Sequence, residues 1–217
     1  IRCIVLRKEN PQFLIREIFS RLNQGAVSLS DQEIRHALYY GKFDDLLTKL
    51  ADIPEIKGFG KGPQSASPKD DREPEEQVLR FFALKGDLSK YGDRLSRYLD
   101  EYMASKQQVD DAQISEMEKS FRKSLENCLQ VFGANVFKDT TRKRTRQSMV
   151  YYDLLMNSLG TIPDEDIASK SENIRSAFAK LCKSKPFQKT TSGGLQNKAS
   201  IMKRRDIWEK ILTKEMK

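Results

Sequence analysis

Arg142-Lys143-Arg144-Thr145-Arg146 places four cations in five residues, behind Thr140-Thr141 and ahead of an apolar helical pattern. Guanidinium and ammonium groups beside hydroxyls at a helix start are phosphate-binding chemistry, because free backbone N–H groups and the helix dipole add to the side-chain charge. The competing reading is a solvated turn, since cations at a helix N-terminus are locally unfavourable. A second cluster, Lys203-Arg204-Arg205, precedes Trp208. There Ile201, Ile207, Trp208, Ile211 and Leu212 mark a core-docking face, so the three cations are expected to project outward, as a solvated face or as a DNA contact.

Other reactive residue types carry less. The one histidine, His36, has no metal-spaced partner, and a ββα-metal nuclease would need more than one. Cys3, Cys128 and Cys182 are far apart and odd in number, so three reduced thiols are expected, with neither a disulfide framework nor a zinc site. Asp44-Asp45, Asp70-Asp71, Asp110-Asp111 and Asp164-Glu165-Asp166 fall at helix starts or in loops, where capping accounts for them. The sequence contains no phosphate-cradling Gly-x-x-x-x-Gly-Lys-Ser/Thr loop, no Gly-x-Ser-x-Gly elbow and no His-Glu-x-x-His pair. No catalytic residue and no metal ligand is assigned.

The elements that must position these groups follow from periodicity. Ile1 to Arg7 reads as a short strand, and Leu14, Ile15, Ile18, Phe19 and Leu22 share one helical stripe that ends near Gly25. Ser30 and Glu33 have capping-box spacing and open a second helix. Further helices are predicted over 43–51, 75–85, 91–105, 111–132, 146–159, 164–183 and 200–214. Residues 52–74 are rich in Gly and Pro and read as a flexible loop. The expected fold is mainly α: a multi-helix domain with one short N-terminal strand left from an adjoining α/β region. Its parts are 1–51, the end of that region with its helices; 52–74, the loop; and 75–217, a helical domain with a basic C-terminal segment.

The charge is uneven. Of the 217 residues, those from Lys180 onward hold eleven Lys/Arg against three Asp/Glu, while the rest of the chain holds 28 of each, so the net charge of +8 lies in the last fifth. That segment is the natural place to meet an anionic partner, DNA first. A hydrophobic share of 38% and a charged share of 32% suit thin helical layers. No apolar run approaches the roughly 20 residues of a membrane helix. With no signal peptide visible, a cytoplasmic, membrane-free chain is expected, and a start inside a strand-like run suggests a cleaved or truncated one.

Glu17-Ile18-Phe19-Ser20-Arg21-Leu22-Asn23-Gln24-Gly25, followed by Leu29-Ser30 and Glu33-Ile34-Arg35-x-Ala37, closely resembles a segment of the GmrSD-type restriction endonuclease N-terminal domain family. Glu76-x-Val78-Leu79-Arg80-Phe81-Phe82-Ala83-Leu84 is similar to a second helix of that family. Phe137 with the basic run after it, and the segment running into Trp208, are similar to its C-terminal half. Ala26 departs from the pattern where a second Gly would stand.

The resemblance implies a ParB/sulfiredoxin-like region, bearing an Asp-Gly-Gln-Gln-Arg motif, joined to a helical region and engaged in nucleotide-dependent defence against modified foreign DNA. It casts Phe19, Arg21 and Asn23 as the border of a nucleotide site, with a nucleoside triphosphate as the cofactor of the full-length protein. Read without it, Asn23 is a cap beside Gly25, and Arg21 pairs with Glu17. Neither Asp-Gly-Gln-Gln-Arg nor the His-x-x-Pro of the partner nuclease domain occurs in this sequence. The chain is therefore expected to be the helical portion, contacting DNA and walling a nucleotide site without catalysing alone. The alternative is a non-catalytic protein-interaction or oligomerisation module, including a homo-oligomer.

Overall fold

The computed structural model describes Ile15, Ile18 and residues 29–60, 72–142 and 146–217. Ile15 and Ile18 are helical, as their stripe predicts. The strand expected at Ile1 to Arg7, and Phe19, Arg21, Asn23, Lys143 and Arg144, lie outside the described residues.

Eleven α-helices follow among the described residues: α1 (Asp31–Leu38), α2 (Lys42–Ala51), α3 (Pro54–Lys57), α4 (Glu73–Leu84), α5 (Leu95–Ser105), α6 (Asp111–Phe132), α7 (Met149–Leu159), α8 (Asp164–Ser169), α9 (Ser171–Lys183), α10 (Lys185–Lys189) and α11 (Lys198–Glu215). The protein is mainly α, with one isolated antiparallel bridge, Lys138 to Gln147, among the described residues.

Local chemistry sets the helix starts. The Glu33 amide donates to Ser30 Oγ (3.1 Å), and the Ser30 amide donates to Glu33 Oε2 (2.6 Å), which completes the expected capping box. Asp110 and Gln113 make the same reciprocal pair for α6. At the far end of α6, Gly133 takes φ +51°, a left-handed turn that suits glycine.

Helices α4 and α6 form the middle of the bundle. Helix α2 packs on both; α7 also packs on both; α9 lies against α6 and α11. One apolar cluster runs from Tyr39 through Phe81, Phe121, Tyr152 and Phe178 to Trp208 and Leu212, so the helices on either side of 52–74 share a single core. The loop expected over 52–74 holds a helical turn, α3, whose Ile56 is buried in that core. Pro54 starts the turn, because a fixed φ and a missing N–H cost nothing at a helix N1 position.

Two boundaries differ from the periodicity in ways that matter. The helix expected from Arg146 begins at Met149, because the Ser148 amide donates to Phe137 O (3.0 Å) and Gln147 bridges to Lys138, holding the chain extended up to Ser148. Arg146 therefore precedes the helix rather than occupying its first turn. The helix expected over 164–183 breaks at Lys170 into α8 and α9. No Gly or Pro marks the break, so the pattern runs through it.

Candidate functional site

The ends of the basic run and the loop that precedes α11 meet around the start of α7. Arg142 and Arg146, both exposed, line a hollow of about 280 Å³ together with Asp139, Ser148, Tyr151 and Thr191. Ser148 caps α7, accepting a hydrogen bond from the Val150 amide (3.3 Å). Asp139 is buried and fixes the floor: it accepts from the Thr141 amide (2.9 Å) and hydroxyl (2.6 Å), and forms an ion pair with Arg142 Nε across 3.1 Å. With a single carboxylate against two guanidinium groups, the hollow keeps an excess positive charge beside a helix start. That arrangement can hold a phosphate oxygen pair.

The second basic cluster differs from expectation. Only Lys203 projects into solvent. Arg204 is 5% exposed and donates to Thr190 O (2.9 Å) and Leu195 O (2.5 Å); Arg205 is half-buried and donates to Leu84 O and to Gly86 O (3.4 Å). These guanidinium groups cap orphan carbonyls, Arg204 in the 190–195 loop and Arg205 at the end of α4. Burial lowers the pKa of both, although an arginine stays charged at any physiological pH. Trp208 docks in the core as its stripe requires, with Nε1 donating to Ser158 Oγ at 2.7 Å.

Next to the hollow, sharing Val150 and Leu195 with it, opens a cleft of about 690 Å³. Its polar wall comes largely from α4: Glu73, Glu76, Gln77 and Arg80 recur at helical spacing along one side. Arg80 forms an ion pair with Asp153 of α7. Burial opposes the Arg80 charge, yet Asp153 together with Glu76 outweighs it, and the Arg80 pKa is raised. Glu76 reaches Arg35 Nη1 at 2.8 Å. The sequence marks this cleft only weakly. The signal was present, as a polar stripe interrupting the otherwise apolar α4, but its residues belong to no reactive class.

His36 faces Asp44, with Nδ1 at 2.6 Å from Oδ2. Burial raises the Asp44 pKa, and the His36 contact pulls it back. Among the described residues no group of His, Cys, Asp and Glu could hold a metal ion. Cys128 and Cys182 are buried free thiols. Burial pushes the Cys128 pKa well up and that of Cys182 to about 12, the latter with help from Asp139. With Cys3 replaced by Ser, the native chain is expected to give no thiol signal with a chromogenic disulfide reagent, and two thiols per chain once unfolded. Rapid native labelling would contradict this burial.

Comparison with family models, curated proteins and solved structures returns no match. No helix among the described residues is long and apolar enough to cross a membrane.

Proposed function

We propose that this chain is the helical, DNA-contacting part of a GmrSD-like restriction protein, and that it does no chemistry alone. The observation that supports this reading is the hollow at the start of α7 that Arg142 and Arg146 line with three hydroxyl-bearing side chains. Lys143 and Arg144, between those arginines in sequence, extend the same cationic run, and Lys203 adds an exposed charge on α11. Arg204 and Arg205 act on the protein side, as clamps on backbone carbonyls that shape the adjoining loops. Phe19, Arg21 and Asn23 supply one wall of a nucleoside-triphosphate site in the full-length protein; this part of the proposal rests on the sequence resemblance alone.

Fluorescence anisotropy of a labelled duplex, titrated from low to moderate salt, tests the reading. The affinity is expected to fall log-linearly, with a slope of about −0.9 per phosphate contacted. Arg142→Ala with Arg146→Ala is expected to weaken binding about tenfold and to reduce the slope by about two. A chain that ignores duplex DNA at low salt, or a double variant with unchanged affinity and slope, overturns it. Binding of a protein partner with little salt response would favour the interaction-module alternative.

A further inference from the structure

The cleft beside the phosphate hollow contains hydrogen-bonding capacity that the fold leaves unspent. Gln32 is 2% exposed and Gln77 is 5% exposed, and both line the cleft. Neither Nε2 has a hydrogen-bond partner. The orientation at Gln32 is fixed, because its Oε1 accepts from Arg35 Nη1 at 3.1 Å, which leaves the N–H groups as the spare function. A buried amide without an acceptor is a cost that natural folds ordinarily avoid. Both residues line one cleft, and an occupant that brings acceptors there would satisfy the two amides.

Charge and shape narrow the occupant. Glu73, Glu76 and Asp153 balance Lys57, Arg80 and Arg204 around the cleft, so it offers no excess charge to a second phosphate. An uncharged ring with carbonyl oxygens on its edge fits the donors. Phe59, anchored against Phe137 and Tyr152, supplies an aromatic contact, and Met149, Val150 and Leu195 supply apolar ones. The cleft volume is ample for one nucleoside. Because the cleft and the hollow share Val150 and Leu195, a group bound in one adjoins a group bound in the other.

We infer that the cleft receives a nucleobase turned out of the DNA whose phosphate sits at Arg142 and Arg146, with the Gln32 and Gln77 amides donating to the base carbonyls. This rests on the DNA reading given above. The chain then reads bases one at a time from an unstacked nucleotide, and the occupied donors help offset the lost stacking and pairing.

Duplexes carrying 2-aminopurine next to a thymine, which brightens when that carbonyl-bearing neighbour leaves the stack, test the inference with the full chain. At saturating protein, 2-aminopurine emission is expected to rise severalfold, and Gln77→Met is expected to remove more than half of that rise while melting no lower than wild type. Arg142→Ala with Arg146→Ala is expected to shift the whole titration to higher protein concentration. Saturable, Arg142-dependent duplex binding with no rise in emission overturns the base cleft and leaves the phosphate reading standing. A full rise in Gln77→Met overturns the assigned role of the amide. Absence of duplex binding removes both readings, and binding of a free nucleoside monophosphate without duplex binding replaces DNA by a soluble ligand and overturns the inference as stated.

Discussion

Replacing Arg35 with Ala is expected to destabilise the protein by about 3–5 kcal/mol, the range for removing one partner from a buried ion pair. Arg35 is 1% exposed, and its guanidinium is the centre of a network. Nε donates to Asp100 Oδ1 at 2.8 Å, Nη1 to Glu76 Oε2 at 2.8 Å and to Gln32 Oε1, and Nη2 to the Ser96 hydroxyl at 3.0 Å; Asp31 adds an ion pair at 3.8 Å. Truncation removes the guanidinium charge from Asp100, which is itself buried, and leaves a cavity beside it. Glu76 is about one-third exposed and recovers water, so its share of the loss is small. Denaturant unfolding of Arg35→Ala, Asp100→Asn and the double variant measures the coupling, expected at about 1–3 kcal/mol for residues in one network. A single variant that loses less than about 1 kcal/mol would mean that the network is solvated, contrary to its burial.

The Arg35 network also joins the described parts, 29–37 and 76–84, of two segments quoted in the sequence analysis. Glu33 closes the capping box of α1, Ile34 enters the core, and Arg35 reaches across to Glu76, the first residue of the second segment. From there Val78, Leu79 and Phe81 fill the bundle centre and Arg80 crosses to Asp153 of α7. A joint between helices is thus enough to account for residues 30–38, without any reactive role. Capping and periodicity make the start and the apolar face of α1 legible in the sequence, since both are set by near neighbours. The long-range ion pairs were not legible: Arg35 to Asp100 spans 65 residues and Arg80 to Asp153 spans 73, and nothing local distinguishes an arginine that will pair across the bundle from one that will face solvent.

The same limit governed the candidate site. The cationic run at 142–146 announced itself by density, and its two described arginines share one hollow. Equal density at 203–205 misled, because helix α11 turns Arg204 inward toward loop carbonyls that have no other cap, and their position is set by the path of residues 190–195 rather than by composition. The cleft was harder still. Its polar wall uses glutamines, glutamates and an arginine, and only the unmet hydrogen bonds of Gln32 and Gln77, visible in three dimensions, separate it from an ordinary solvated groove. Helix boundaries showed a further version of the effect. Ser148 starts α7 where a strand-like bridge releases the chain, and Lys170 breaks a run that contains no helix breaker, so tertiary contacts overrode continuous patterns.

Gly160→Ala is expected to cost about 1–3 kcal/mol through overpacking alone. The backbone at Gly160, which caps α7, is right-handed helical, with φ −64° and ψ −15°, so alanine suits it and even gains from higher helix propensity. Space is what forbids it. An added Cβ would lie 1.9 Å from Ser124 Oγ, 3.0 Å from Ser124 Cβ and 3.3 Å from the Met156 carbonyl oxygen. Ser124 belongs to α6, is fully buried, and ties its hydroxyl to Ser120 O at 2.9 Å, so a rotamer change relieves the oxygen contact only by breaking that bond. The Cβ contact remains in any rotamer, and the helices must then separate by a few tenths of an ångström. One turn away, the Asn127 side-chain amide donates to Leu159 O at 2.9 Å, a bond across the same helix pair that separation would stretch. Adding Ser124→Ala removes the oxygen and is expected to restore roughly half of the loss, whereas Ser124→Ala alone is expected to be nearly neutral, since its hydroxyl serves only a carbonyl already bonded within the helix. Thermal melts of the three variants decide it: a Gly160→Ala protein as stable as wild type, or one that Ser124→Ala does nothing to rescue, would show that α6 and α7 do not meet as closely as this contact requires.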